Sequence, residues 1–149
     1  MIGFSTTTTF EIVRRVASIG LSSPSIYVLI CEPEEMEAIE ADLRAEVEVQ
    51  LGSDLQTLDA SSRPSYQRLE AIAPNTRAGV VLLTMRRWEP ELIVSVDRNI
   101  VLVTRAGPLL LLTTLKIAER TLVAAPNLRS RITDVLSIKP DPFLRQAPA

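Results

Sequence analysis

Apolar residues along this chain come in two patterns taken in turn. Short uninterrupted runs alternate with stretches in which apolar positions recur every three or four residues, the marks of buried strands and amphipathic helices. Ile26-Tyr27-Val28-Leu29-Ile30, Gly79-Val80-Val81-Leu82-Leu83 and Pro108-Leu109-Leu110-Leu111-Leu112 are continuous enough for strands buried on both faces. Met36, Ile39, Leu43 and Val47 form one helical stripe, predicting a helix over about 34–47. Further helices are predicted at Pro90–Val96, at Tyr66–Ile72 before Pro74, and from Thr114 as cap to about Val123, ending before Pro126. A last short helix is expected over Leu128–Leu136.

Three stretches fit less simply. Phe10–Ile19 reads as a helix started by Thr9 and stopped by Gly20, with Phe10, Val13 and Ala17 on one stripe and Ile12, Val16 and Ile19 on the next. Apolar residues on two faces predict a helix clamped between surfaces. Residues 48–58 are ambiguous, with a second strand expected near Leu55–Leu58. Ile100-Val101-Leu102-Val103 favours strand by β-branching, yet lies so close to Pro108 that a hairpin and a helix end both stay open. The alternation as a whole predicts an α/β fold, a three-layer sandwich around a mainly parallel sheet. The expected organisation is an N-terminal Thr-rich tail and helix (1–24), one α/β domain (25–138) and an extended Pro-containing tail (139–149).

Composition removes several chemistries. The chain contains no histidine, so Ser-His and Cys-His nucleophile pairs and most zinc sites lack their usual members. A single cysteine, Cys31, excludes an internal disulfide and suits a reducing cytosol. A net charge of −2 gives no basic surface for nucleic acid. No apolar run approaches the roughly 20 residues of a bilayer span, and the N-terminus shows no basic-then-apolar signal. The expectation is a cytoplasmic protein with no membrane or nucleic-acid partner.

The unit at 26–47, strand then turn then helix, has the outline of a phosphate-binding loop. Its turn, Cys31-Glu32-Pro33-Glu34-Glu35-Met36, contains no glycine, lysine, serine or threonine. A phosphate loop needs Gly-rich backbone donors, a lysine and a hydroxyl for magnesium. Here carboxylates suit the positive end of the helix themselves and repel a triphosphate, and Pro33 removes a donor. The strand at Gly79–Leu83 is followed by Thr84-Met85-Arg86-Arg87, with no acid to hold magnesium until Glu89. Cys31 among glutamates reads as a buried structural thiol, and the glutamates as a solvated face rather than a metal cluster.

Leu58-Asp59-Ala60-Ser61, Ala73-Pro74-Asn75 and Gly79–Leu83 resemble the second and third strands of the STAND class of P-loop ATPases. Trp88-Glu89-Pro90-Glu91-Leu92, Ser95-Val96-Asp97, Gly107-Pro108-Leu109 and Ala125-Pro126-Asn127-Leu128 are similar to a bacterial branch found beside repeat domains and conflict-system effectors. The likeness covers about residues 25–137. The departures at the turn and at the metal position resemble the inactive STAND group. That resemblance implies a P-loop NTPase-like fold without the lid subdomain, no catalysis, no cofactor, and service as an adaptor or regulatory module bound to another protein of a signalling or defence assembly, with a homo-oligomer also open.

Candidate contact residues are Arg86, Arg87 and Trp88, because Arg and Trp dominate interface hot spots, with Phe10 and Val13 of the first helix. Trp88 reads equally well as a cover for the sheet edge. Ile100, Val101, Leu102 and Val103 are either core or, if exposed, a docking surface. A rival reading is a small-ligand or nucleotide sensor that gathers Arg86, Arg87 and Arg129, with Arg131 near them, at the C-terminal edge of the sheet, where open α/β sheets hold ligands.

Overall fold

Six parallel strands make one sheet in the computed structural model, which describes residues 4–20, 24–52, 56–59, 80–105 and 107–140. In chain order the elements are β1 (Thr6–Thr8), α1 (Thr9–Ile19), β2 (Ile26–Ile30), a 3-10 turn (Pro33–Glu35), α2 (Met36–Leu51) and β3 (Gln56–Asp59). There follow β4 (Val81–Met85), α3 (Pro90–Arg98), α4 (Ile100–Arg105), β5 (Leu109–Thr113), α5 (Leu115–Ala124), α6 (Pro126–Ser130) and β6 (Asp134–Lys139). Across the sheet the strands lie in the order β1-β6-β2-β5-β4-β3.

This order fixes which helix covers which face. Parallel strands are joined by right-handed crossovers, so connections that step in opposite directions put their helices on opposite faces. The steps from β1 to β2 and from β2 to β3 run one way. Those from β3 to β4, β4 to β5 and β5 to β6 run back. Accordingly Ile12, Val13 and Val16 of α1 and Met36, Ile39, Leu43 and Val47 of α2 share one core with Tyr27, Leu29, Leu82, Leu110, Leu112, Leu136 and Ile138. Leu92, Ile93 and Val96 of α3, Ile100, Ile117, Ala118 and Leu128 share the other with Ile26, Val28, Val81, Leu83, Leu109 and Leu111. Alternate residues of each continuous run serve opposite cores, which is why β2, β4 and β5 carry no polar period.

The N-terminus departs from expectation. Thr6–Thr8 is an edge strand rather than a loose tail, pairing Thr6 with Ser137 and Thr8 with Lys139. No boundary separates it from the domain expected over 25–138, because the sheet includes β1. The cap of α1 is Thr8, whose hydroxyl accepts the Glu11 N–H at 3.1 Å, while Thr9 is buried. Gly20 ends the helix with φ of 101°, a value an L side chain resists. Arg15 lies 5.0 Å from the Tyr27 ring centroid and bonds Asp134 at 3.0 Å, fastening α1 to the start of β6. α1 is covered on one side only: Val13 is buried, whereas Phe10 and Ile19 remain exposed.

The helix expected over Leu128–Leu136 is also corrected. Residues 126–130 form α6 and residues 134–139 form β6, which inserts between β1 and β2. Ile100–Arg105 is helical, which resolves the open reading of that stretch; Ile100 is 3 % exposed and Val101 46 %. The side chains of Leu102 and Val103, the helix expected over 66–72 and the tail from 141 lie outside the described residues.

One joint explains two of the motifs. The Asp97 carboxylate accepts the Leu128 N–H at 2.8 Å and the Asn127 side-chain amide at 3.2 Å. Pro126 starts α6, and Ala125 and Leu128 are fully buried. Ser95-Val96-Asp97 and Ala125-Pro126-Asn127-Leu128 are therefore two halves of a capped helix junction. Asp97→Ala removes the acceptor of a helix-starting N–H and is expected to cost about 1 kcal/mol. Thermal unfolding should then fall by roughly 3–6 °C; an unchanged midpoint would refute the assignment.

Candidate functional site

Adjacent strands β2 and β5 feed helices on opposite faces, so the chain parts beyond their C-terminal ends. Open α/β sheets hold ligands at such a switch point. A cleft of about 630 Å³ opens there, reaching across to β1 and β6. Cys31 lines it, and the Cys31 N–H donates to the Thr113 carbonyl at 3.0 Å, joining the ends of the two strands. Phe4, Ile30, Pro33 and Leu115 supply apolar walls, and Glu32, Lys116 and Glu119 the charge.

The turn after β2 closes on itself. The Glu35 N–H donates to the Glu32 carbonyl at 3.0 Å, and Pro33 opens the 3-10 turn. No side chain caps α2, but Glu34, Glu35 and Glu37 sit in its opening turns, where carboxylates meet the positive helix end. The Glu35 carboxylate faces Lys139 of β6 at 3.5 Å. Cys31 is buried at this point, and its thiol is pushed up to about 11 by burial first, then by Glu35 and Glu32, with Lys139 opposing. Among the described residues no group of three His, Cys, Asp or Glu side chains is placed to hold a metal. No described helix is long and apolar enough to cross a membrane.

The arginines expected at this edge are engaged elsewhere. Arg86 follows β4 and pairs with Glu40 of α2; Arg87 pairs with Glu89 at 3.3 Å. Arg129 stands on α6, which leads into the N-terminal end of β6, with Arg131 just after it. The structure therefore does not gather Arg129 with Arg86 and Arg87. Trp88 is half-buried against the α3 core, and Arg120 lies over its ring at 5.8 Å. Of the predicted contact residues, Phe10, Arg86, Arg87 and Val101 reach the surface, while Val13 and Ile100 are core.

Phe4, Thr6, Leu115, Lys116, Glu119 and Ser137 are the cleft residues that sequence reading did not single out. They come from three chain segments brought together only by the insertion of β6 between β1 and β2. Neither a protein-family model nor a curated protein matches this chain.

Proposed function

We propose that this chain is a non-catalytic protein-interaction module, an adaptor or regulatory piece of a larger assembly, built on an NTPase-like α/β scaffold of the inactive STAND kind. One observation carries the reading. The switch-point cleft, where a polyphosphate would rest on the opening of α2, is supplied with the chain's own carboxylates. Glu32 lines it, Glu35 reaches across to Lys139, and both raise the Cys31 thiol. A triphosphate brought there meets repulsion in a partly desolvated setting, where charge is weakly screened. The position after β4 supports the same reading, since its side chains are arginines already paired with Glu40 and Glu89 rather than an acid for magnesium. Those pairings, and the location of Arg129, also count against the arginine-based sensor.

Thermal unfolding with ATP, GTP or a cyclic nucleotide, each with magnesium, tests this directly. A ligand that binds only the folded state raises the midpoint by mass action. The expected result is no change with any of them. A rise of several degrees with a triphosphate would overturn the proposal.

A further inference from the structure

We propose that the switch-point cleft receives a short peptide segment that presents one aliphatic side chain flanked by basic ones. The inference rests on reading the chain as a binding module and names the chemistry of its partner.

The walls set the aliphatic requirement. Phe4, Ile30, Pro33 and Leu115 give the lining its apolar side chains, and Leu115 is 44 % exposed at the start of α5. A volume of about 630 Å³ exceeds what one side chain fills and suits a short peptide. The charge sets the basic requirement. Glu32 and Glu119 line the cleft against one cation, Lys116. Glu34, Glu35 and Glu37 answer the helix end, and Glu35 also answers Lys139. Glu32 and Glu119 line the cleft and take part in no ion pair among the described residues. They stand on opposite walls, one after β2 and one on α5, so a side chain entering between them carries its basic neighbours toward a carboxylate on each side. The backbone has a use as well. The first N–H groups of α5 have no acceptor within the helix, and no side chain caps them at Thr114. They meet peptide carbonyls at the same wall.

The test uses the whole chain and a fluorescein-labelled Ser-Arg-Leu-Arg-Ser peptide read by anisotropy. Ser-Glu-Leu-Glu-Ser and Ser-Arg-Ser-Arg-Ser serve as matched probes. The first peptide should bind in preference to both others, and more weakly as salt is raised. Glu32→Lys and Glu119→Lys should each weaken it about fivefold or more. Glu48→Lys, exposed and three turns along α2 from the cleft, should leave affinity unchanged. Each variant's unfolding midpoint verifies that it folds. Saturating peptide should slow alkylation of Cys31. Three results overturn the inference: no binding, equal or tighter binding of either matched probe, or binding indifferent to both cleft reversals. Stabilisation by a triphosphate would instead overturn the broader reading. Failure of the peptide with no nucleotide effect would remove this inference alone.

Discussion

Ile100→Asp should unfold the protein, while Val101→Asp one residue on should leave it folded. Ile100 is 3 % exposed and belongs to the core beneath α3 and α5. The substitution removes a buried aliphatic group, worth about 2–3 kcal/mol. It also places a carboxylate where no described partner awaits it, which costs several kcal/mol more or forces the acid to stay protonated. A domain of this size has only about 5–15 kcal/mol to lose. Val101 is 46 % exposed near the start of α4, where an added carboxylate is mildly favourable to the helix end. Its change should stay within about 0.5 kcal/mol. Circular dichroism and urea midpoints of the two variants decide the matter. A folded Ile100→Asp would place that segment outside the core, and an unfolded Val101→Asp would deny the exposed surface. If Val101 belongs to a partner surface, its variant loses partner capture while keeping the native midpoint.

What could be read from the chain follows the range of the interactions concerned. β2 was legible to the residue, because five continuous apolar positions admit one reading between a linker and a turn. β5 and α3 were nearly so, and the acidic turn with Cys31 at its base was found from local chemistry alone. β1 was not. Three threonines form a strand only because β6 lies beside them, a pairing that spans the whole chain. β6 was missed because Leu128, Ile132 and Leu136 fall at helical spacing. The competing signal was the two-residue period of Leu136 and Ile138, which turn together toward the α1 core. Ile100–Val103 stayed open because a four-residue apolar run suits either element. Thr104 returns its hydroxyl to the Ile100 carbonyl at 2.8 Å, a bond that a strand would not offer. The arginine site failed for a similar reason. Glu40, which takes Arg86, lies 46 residues away in sequence, and spacing gives no notice of it.

Cys31 supplies the second large effect. Its thiol is held near 11 against an ordinary 9.0, so at pH 8 the native thiolate is about a hundredfold scarcer than in the unfolded chain. The sign follows from the causes. Burial, Glu35 and Glu32 all disfavour the charged form, so the folded state keeps its proton where the unfolded state has lost it. The associated stability is complete below pH 9 and is lost as pH rises from about 9 to about 11. Iodoacetamide alkylation followed by mass spectrometry should show a native pH profile rising toward 11 and a profile in urea rising near 9. The midpoint of the profile is the decisive quantity, because the 7 % exposure of Cys31 slows reaction at every pH alike. Glu35→Gln should shift the native profile downward, by removing the largest of the three carboxylate contributions. A native profile that matches the one in urea would deny burial and carboxylates alike, because burial is the largest cause of the rise. The Glu35→Gln difference isolates the carboxylate part, and a variant profile identical to the native one would remove the negative charge on which the exclusion of polyphosphate leans.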